Sequence, residues 1–478
     1  MEPVLIICAG IAVVLFCIIV LRLHPAVSLL FAAFVTGILT SSEVLYEAAI
    51  QQGLSAPEAM DLASQPIGER VTTAFGNTTG KIGVLILFAS IIGMSLMKSG
   101  GAERIVRSLF RLFGQKNTSF AFLTGSFTLA IPVFFDTVFY LMIPLVKSIS
   151  VRNPKKFSLY LMTIIAGGVM AHSLIPPTPG PLFVAKEMGI DLGAMMIGGL
   201  AIGSITALSG YLYALWANKK WDLPMRDTPD ISIDELKQFS EREERDLPAL
   251  WISSLSIILP ILLITGNTIM NMVFNQEMAG DSWEGALLPL FSVLGNSTTA
   301  LAIASVIALY VLWSRLKDQK LFQKYLYESL MSAGMIILIT AAGGAFGQML
   351  QQTGIGVSVQ KLASGYQVAI LPLAFVLTAI VRTAQGSATV AMVTTIGIMS
   401  GFTTGNALAF HPVYLALAIG CGSKIFPWMN DSAFWIITKM SGMEEQETIR
   451  YFSFLLTVMG ISGLVAIIIL STIFPFVP

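Results

Sequence analysis

A polar stretch that contains an arginine, at residues 381–389, interrupts a long apolar region late in the chain. The apolar flank on each side is shorter than the about 20 residues that one helical crossing of a bilayer needs. The pattern therefore predicts a re-entrant hairpin at about 368–400, with two half-length helices and a Gln385-Gly386-Ser387 tip near the midplane. Irregular backbone at that depth is tolerated only inside protein or around a cavity. We therefore expect this tip to form half of a binding site.

The composition supports a chain that lies largely in a membrane. Of its 478 residues, 55% are hydrophobic and only 12% are charged, and the mean hydropathy is +0.77. About a quarter of the residues of a soluble globular domain are charged. The sequence thus predicts an all-α polytopic membrane protein that contacts lipid, has no nucleic-acid partner and is not an enzyme.

Cysteine and histidine positions argue against a metal centre or disulfides. Cys8, Cys17 and Cys421 lie in apolar segments, and an odd set of this kind favours free thiols. His24, His172 and His411 are far apart and lack the spacing of metal ligands. We expect no bound metal and no cofactor.

The predicted membrane topology follows from hydropathy and from the distribution of lysine and arginine. Crossings are predicted near 3–21, 26–42, 82–97, 157–188, 192–217, 249–272, 297–313, 329–350, 409–438 and 451–475, with a second hairpin at about 119–149. Most of the 28 basic residues fall in loops on one side, which is then cytoplasmic. The opposite side has Arg70, Lys81, Lys186 and Lys361. Both termini are therefore predicted to lie outside the cytoplasm of a bacterial inner membrane, and the two hairpins to enter from opposite faces.

Two connecting segments are predicted to hold short surface helices. Residues 43–81 form the external one, with a Ser55-x-x-Glu58 capping box. Residues 218–248 form a charged cytoplasmic linker, with a second such signal at residues 232–235. Within the first segment, residues 76–81 (GNTTGK) are similar to a phosphate-binding loop. Their glycines are one residue too close, however, and Ile82 stands where that motif has Ser or Thr.

The chain also shows an internal repeat. A shift of roughly 250 positions, the first test for repeated architecture, places residues 83–93 over 334–344 and Asp136-Thr137 over Gly386-Ser387. We therefore predict two repeats, at 1–217 and 249–478. Because the halves begin on opposite sides of the membrane, the repeats are inverted. Secondary transporters commonly have this plan, with the substrate site at the midplane.

Prolines predict one broken helix in each half. A proline removes a backbone donor and clashes with the preceding turn. Pro176 and Pro177, with Gly180 nearby, predict a break at 175–181, and Pro427 predicts one at 426–432. Ordinary kinks are the alternative. Because both breaks fall at equivalent positions of the two repeats, we expect them instead to expose backbone groups that hold an ion or a carboxylate.

Buried charges mark the expected pathway, because a charge at mid-bilayer costs about 2.5 to 3.5 kcal/mol on insertion scales. Arg382 suits a carboxylate, with a permanent salt bridge to Asp136 or Asp431 as the alternative. Asp136 and Asp431 are candidate proton carriers, and Asp431 could instead cap a half-helix. His172 is a third proton candidate or a packing residue. Lys424, on a helix just before the second break, could likewise bind the substrate or form a permanent pair, and the structural pair is favoured.

Neutral polar groups complete the predicted site. The full set of predicted substrate-binding residues is Arg382, Gln385, Gly386, Ser387, Thr137, Thr178, Asn430 and Ser432. The same groups could coordinate sodium, so a sodium-coupled carboxylate symporter or a sodium/proton antiporter stays open. A passive anion channel would need no broken helices at equivalent inverted positions and is disfavoured.

Four ordered motifs resemble the gluconate permease (GntP) family of the ion transporter superfamily. They are residues 134–139 (FFDTVF), 172–181 (HSLIPPTPGP), 382–391 (RTAQGSATVA) and 430–435 (NDSAFW). The resemblance spans nearly the whole chain. It implies a proton-coupled importer of gluconate, other sugar acids or related small carboxylates, and a homodimer whose scaffold carries a mobile substrate-binding unit. The family pattern usually has glutamate where Asp136 stands and histidine where Thr178 stands, which leaves the individual carboxylate open.

Overall fold

The structure is a computed structural model that describes residues 3–51, 54–114, 117–226, 247–273, 291–354, 369–399, 408–429 and 431–476. The helices of the first half are α1 (Pro3–Leu15), α2 (Pro25–Leu39), α3 (Ser42–Gln51), α4 (Ala56–Ser64), α5 (Ile67–Lys98), α6 (Gly101–Phe113), α7 (Thr118–Leu129), α8 (Phe135–Arg152), α9 (Phe157–Leu174), α10 (Pro179–Glu187) and α11 (Leu192–Lys220). Those of the second half are α12 (Leu250–Val273), α13 (Ser297–Leu316), α14 (Gln319–Gln351), α15 (Ile370–Gln385), α16 (Ala388–Met399), α17 (Val413–Gly422), α18 (Ser432–Ser441) and α19 (Glu445–Ile473).

The fold is all-helical in its described part, as predicted, and it suits a membrane. Seven helices there are long and apolar enough to cross, and an eighth span results if α2 and α3, bent by 99°, count as one. Two predicted crossings do not pass this length test. Residues 3–21 form α1 followed by a π-helical turn, and residues 409–438 contain α17 and α18, each of ten residues.

Helix caps explain where several of these helices begin. Asp191, Asn296 and Asp318 each accept a hydrogen bond from a backbone N–H in the first turn of α11, α13 and α14, at 3.0, 3.0 and 2.8 Å. Side-chain oxygens at this position satisfy donors that the helix itself leaves unpaired. The capping signal predicted in the external segment is also present, because Glu58 Oε2 accepts from the Ser55 backbone N–H at 2.9 Å.

The helix of the third predicted crossing begins earlier than residue 82, because residues 67–81 of the predicted external segment are helical as well. They belong to α5, a helix of 32 residues. Polar and charged side chains lower the hydropathy of its first turns, but tertiary contacts hold them. Buried Arg70 donates to Gln352 Oε1 at 2.8 Å and to the Gly37 carbonyl at 3.3 Å, which fixes the start of α5 to the ends of α14 and α2.

The two halves present their helices in the same order. In each half a long helix, α5 or α14, precedes two hairpin helices, two helices separated by a break, and a final long helix. In the first half α6 lies between α5 and the hairpin. A glycine with positive φ follows both long helices, Gly100 at 81° and Gly354 at 75°, a conformation that glycine adopts without strain. The helices α7 and α8 pack on α9, and α15 and α16 pack on α17.

The predicted hairpins and breaks correspond to short helices. The helices α15 and α16 have 16 and 12 residues, both below the length of a crossing, and they pack against each other. Gly386 and Ser387 lie between them, as expected for the tip. The first break separates α9 from α10 at residues 175–178, and the second separates α17 from α18 at residues 423–431.

The broken pair α9–α10 forms the centre of the protein. In its most apolar window 94% of the residues are buried, against 33 to 61% in the other six long spans. Helices from both halves therefore surround it. The Gly199-x-x-x-Gly203 pair on α11 contributes to this packing, since Gly199 faces the Leu174 carbonyl and Gly203 faces the Phe127 ring. That motif thus packs within the chain.

Candidate substrate-binding site

A cavity of about 250 Å³ lies where the two hairpins meet the two breaks. Its volume is below the range of about 300 to 1,000 Å³ typical of drug-sized ligands, which suits a smaller molecule. One side is apolar, with Phe134, Ile336 and Phe452 among its members. The polar side chains that line it are Asp136, His172, Arg382, Ser387, Thr389, Lys424, Asp431 and Ser432.

Four helices begin at this cavity. Its wall includes first-turn residues of α8, α10, α16 and α18, namely Asp136, Pro179, Thr389 and Ser432. The start of a helix presents unpaired N–H groups and the positive end of the helix dipole. Such ends favour anions. At α10, however, Pro179 and Pro181 have no N–H, and at α18 the Ala433 N–H already donates to Asp431. The four helix dipoles still favour negative charge in the cavity, but fewer free donors face it than four open helix ends would give.

Arg382 and Asp431 form a buried ion pair across the cavity. Arg382 lies in the last turn of α15 and Asp431 is the N-cap of α18, and their side chains are 4% and 6% exposed. Arg382 Nη2 donates to Asp431 Oδ2. The Nε and Nη1 donors of Arg382 have no hydrogen-bond partner among the described residues. The arginine is thus held by one carboxylate and retains donors that a second one could accept from.

Asp431 has a second contact, so it is both the partner of Arg382 and the cap of α18. Its Oδ1 accepts from the Ala433 N–H at 2.8 Å, which caps α18, while Oδ2 accepts from Arg382. The two oxygens of one carboxylate therefore serve the helix and the cation separately. A change of protonation at Asp431 would alter its bond to Arg382 and leave the cap oxygen in place.

Lys424 is the second cation of the site. It is 3% exposed and lies in the second break, two residues beyond the end of α17, and not on a helix as predicted. Its predicted structural pairing is not found either, because it has no hydrogen bond or ion pair within contact distance in the described part of the chain. Its charge does interact over a longer range with Asp136, Asp431 and Arg382.

Asp136 is the second carboxylate, and it makes no ion pair among the described residues. It stands in the first turn of α8, where its charge interacts with those of Asp431, Lys424 and Arg382. The site therefore contains two cations and two carboxylates, of which only Arg382 and Asp431 are in direct contact. Such a cluster is balanced in charge and still has an unpaired member of each sign.

His172, near the end of α9, contributes a neutral polar group. Its Nδ1 has no hydrogen-bond partner within the described residues, and its ring lies edge-on to Phe134 with the centroids 5.5 Å apart. The predicted packing role therefore accounts for one face of the ring, and the nitrogen is left for a ligand or a proton.

The second break is held in place by contacts to α19 and α15. Ser453, in the π-helical turn Ile449–Ser453, donates to the Pro427 carbonyl, and the Phe426 N–H donates to Thr457 Oγ1 at 3.1 Å. Trp428 Nε1 donates to the Thr383 carbonyl at 2.8 Å. These bonds fix the loop that carries Lys424 against the helix end that carries Arg382.

The first break presents its backbone differently. Pro176 and Pro177 are buried and joined by a cis peptide bond, and Gly180 packs against Met392 of the second hairpin. The Thr178 hydroxyl donates back to the Ile175 carbonyl at 2.6 Å. Within this break only Pro179 reaches the cavity wall.

The structure brings together most of the predicted site residues. Arg382, Gly386, Ser387, Ser432, Asp136, Asp431 and His172 all line the cavity. Thr137 and Thr178 do not line it. Thr137 is one position along α8 from Asp136, and successive residues of a helix point about 100° apart. The side chain of Gln385 and the whole of Asn430 lie outside the described residues.

Sequence reasoning missed the apolar wall of the site. Ile336 and Ile339 come from α14 and Phe452 from the π-helical turn of α19. Nothing in their apolar neighbourhood distinguishes them from lipid-facing or packing residues. Phe134 and Phe135, as part of the FFDTVF motif, did lie beside a residue singled out by its charge.

Comparisons with known proteins agree with this architecture. The model of the GntP family permease matches residues 2–473. A gluconate permease of Bacillus subtilis is 30% identical over 98% of this chain and 100% of its own length. A gluconate permease of Pseudomonas aeruginosa is 29% identical over 95% and 94%.

A solved structure gives the same fold. The Alcanivorax borkumensis YdaH transporter, described as having an unusual topology, superposes with a TM-score of 0.61 over 95% of this chain and 100% of that one, at 12% identity. The all-helical fold, the multiple spans and the match across nearly the whole sequence lead to one conclusion. This chain is a multi-pass membrane protein that belongs to the GntP permease family.

Proposed function

We propose that this permease imports gluconate or a related small sugar acid in symport with protons, by alternating access to the cavity around Arg382. The observation that carries the proposal is the buried arginine, which is held by one carboxylate and has two donors without a partner among the described residues. A planar guanidinium suits the bidentate recognition of a carboxylate. Relatives named gluconate permeases over nearly the whole length support the substrate class.

Charge balance favours coupling to protons. With Arg382, Lys424, Asp136 and Asp431 all ionised, the site has no net charge. A substrate carboxylate adds one negative charge to a buried site, where an uncompensated ion costs several kcal/mol. One proton taken up by Asp136 or Asp431 restores neutrality. Anion and proton therefore bind more favourably together than apart.

Neutral groups suit a polyhydroxylated substrate. The hydroxyls of Ser387, Thr389 and Ser432 line the cavity together with the unpartnered Nδ1 of His172. Each of these groups can donate or accept a hydrogen bond, which matches the hydroxyls of a sugar acid. The apolar wall formed by Phe134 and Ile336 limits the length of the chain that fits.

The repeated order of elements supports alternating access by two inverted repeats. The second hairpin helix of each half packs on the far part of the broken pair of the other half, α16 on α10 and α8 on α18. Motion of one half would therefore change access to the cavity from each side. The homodimer, the inner-membrane location and the extracytoplasmic termini stay predictions from the resemblance and the charge distribution.

The test is uptake of labelled gluconate, glycerate, fructuronate and D-serine into proteoliposomes under an imposed inward proton gradient without sodium. We expect concentrative uptake of a sugar acid that a protonophore abolishes. The variant Arg382→Gln should abolish it, and Arg226→Gln should not, since Arg226 lies outside the cavity in a partly exposed ion pair with Glu447.

Three outcomes would contradict the proposed transport or its coupling to protons. Uptake that begins only when sodium is added would make this a sodium-coupled symporter and remove the proton role of Asp136 and Asp431. Equilibration without transient accumulation in a counterflow experiment would indicate an anion channel. Transport of sodium against protons with no effect of any carboxylate would indicate an antiporter.

A further inference from the structure

A second, larger cavity of about 700 Å³ lies between α5, α14 and the end of α10. Its volume is within the range of known small-molecule sites. The stretch similar to a phosphate-binding loop, residues 76–81, forms one wall of it. That stretch is helical, so it cannot cradle a phosphate with loop N–H groups. Its side chains face the cavity instead.

Two amide side chains of this second cavity have no partner among the described residues. Asn77 and Gln348, on α5 and α14, make no side-chain hydrogen bonds to the described residues. Lys81 contacts Glu187 with an Nζ–Oε1 distance of 3.7 Å, and its side chain is 55% exposed. Gly76 and Gly80 leave open space beside them, since a Cβ at either position would meet nothing within 4 Å.

The two cavities share two helices that run side by side from one to the other. Pro179, at the start of α10, lines the first cavity, and Glu187, at its end, lines the second. On α14, Ile339 lines the first and Gln348 the second. At 1.5 Å per residue these separations correspond to about 12 to 14 Å. The second cavity is therefore the near neighbour of the first, on the side where α10 ends.

We propose that the second cavity is a further binding site for the same small sugar acid, occupied on the way to the first. In it Lys81 binds the carboxylate, and the amides of Asn77 and Gln348 bind hydroxyl groups. This inference rests on the proposed function. It adds a recognition step that the charged cluster around Arg382 does not provide.

The Lys81–Glu187 pair makes such a step reversible. The Lys81 side chain is largely exposed, whereas that of Glu187 is only 18% exposed. With the lysine in water, a pair at 3.7 Å is worth about 0 to 1 kcal/mol, so a substrate carboxylate can replace Glu187 at the lysine with little loss. When the substrate moves on, Glu187 takes the lysine back. The positive-inside prediction places Lys81 on the extracytoplasmic side, from which an imported anion arrives.

The experiment compares two variants with two controls. Lys81→Gln removes the cation, and Lys81→Arg keeps it. Gly80→Leu adds a large side chain at the cavity wall, where a Cβ meets nothing within 4 Å. Gly68→Leu makes the same change on the same helix outside the cavity, where a Cβ also meets nothing within 4 Å. Equilibrium binding of labelled gluconate is measured in lipid nanodiscs, and initial uptake rates in proteoliposomes.

We expect two gluconate sites per wild-type chain, of which Arg382→Gln removes one and Lys81→Gln the other. In uptake, Lys81→Gln should raise KM by about tenfold, the lower end of electrostatic steering effects, and leave kcat unchanged. It should also weaken the rise of KM with salt, since screening acts on exposed charges. Lys81→Arg and Gly68→Leu should behave as wild type, and Gly80→Leu should raise KM.

One binding site in the wild type, with Lys81→Gln unchanged in KM, would overturn the second site and leave the proposed function intact. Equal increases of KM for Gly80→Leu and Gly68→Leu would also overturn it, because they would trace the effect to the helix and not to the cavity. If wild-type protein neither binds nor transports any sugar acid tested, the proposed function itself fails.

Discussion

The pair Arg382–Asp431 allows a prediction that separates the two roles of Asp431. Both side chains are buried, at 4% and 6% exposure, and the same carboxylate caps α18 through its other oxygen. Asp431→Asn removes the charge and keeps a good N-cap residue. Asp431→Ala removes both the charge and the cap.

The expected magnitudes follow from the burial of the pair. Removing one partner of a buried ion pair costs about 3 to 5 kcal/mol, because the remaining charge is left uncompensated. We expect that loss of unfolding free energy for Asp431→Asn, and about 1 kcal/mol more for Asp431→Ala from the lost cap. The double variant with Arg382→Gln should recover most of the loss, since it leaves no unpaired guanidinium.

The assay is reversible unfolding by SDS in mixed micelles, with the three single variants and the double variant as a thermodynamic cycle. As a control, Arg226→Gln breaks the partly exposed Arg226–Glu447 pair, where a loss of about 1 kcal/mol or less is expected. Independent additive effects of Arg382→Gln and Asp431→Asn, within about 0.5 kcal/mol, would refute the assigned pairing. If Asp431→Asn unfolds with nearly the wild-type free energy and Asp431→Ala loses much of it, Asp431 acts chiefly as a cap.

Three further predictions concern coupling, packing and a helix end. Asp136→Asn should abolish proton-driven accumulation of gluconate but retain exchange of gluconate across the proteoliposome membrane. Asp136→Glu should retain some uptake. Normal accumulation by the Asn variant would remove Asp136 from the coupling. Gly347→Val should lower the unfolding free energy by about 1 to 3 kcal/mol through overpacking, because a Cβ at Gly347 would lie 2.9 Å from a backbone Cα of α16. Gly334→Ala, on the same helix with open space around it, should be neutral or slightly stabilising in the same SDS titration. The pKa of Glu58 lies below its usual 4.5 because Ser55 donates to the carboxylate. The stability that this bond adds to α4 is therefore complete above pH 4.5 and is lost as the pH falls through the lowered pKa. Hydrogen exchange of α4 should show that loss, and an identical pH profile in Glu58→Ala would contradict it.

Much of the architecture could be predicted because it depends on local properties of the chain. Apolar segments too short to cross a bilayer predicted the hairpins, and prolines predicted both breaks. Fixed backbone chemistry explains this success, since a proline interrupts a helix whatever surrounds it. The cluster of Asp136, Arg382, Lys424 and Asp431 could be proposed for a similar reason, because ionisable groups in apolar segments are costly unless they act together.

Other features depend on which faces of distant helices meet. Asp431 is 49 positions from Arg382, and the sequence left two carboxylates as equal candidates for the pair. The beginning of α5 at Ile67 is decided by a bond between Arg70 and Gln352, 282 positions away. The second cavity needs glycines of α5 to face α14 and the end of α10. Sequence by itself determined that the chain is helical, where prolines break its helices and which charges must be sheltered. Only the tertiary structure decided which of those charges touch and which helix faces enclose a cavity, because rotation and packing of helices are set by all of their neighbours at once.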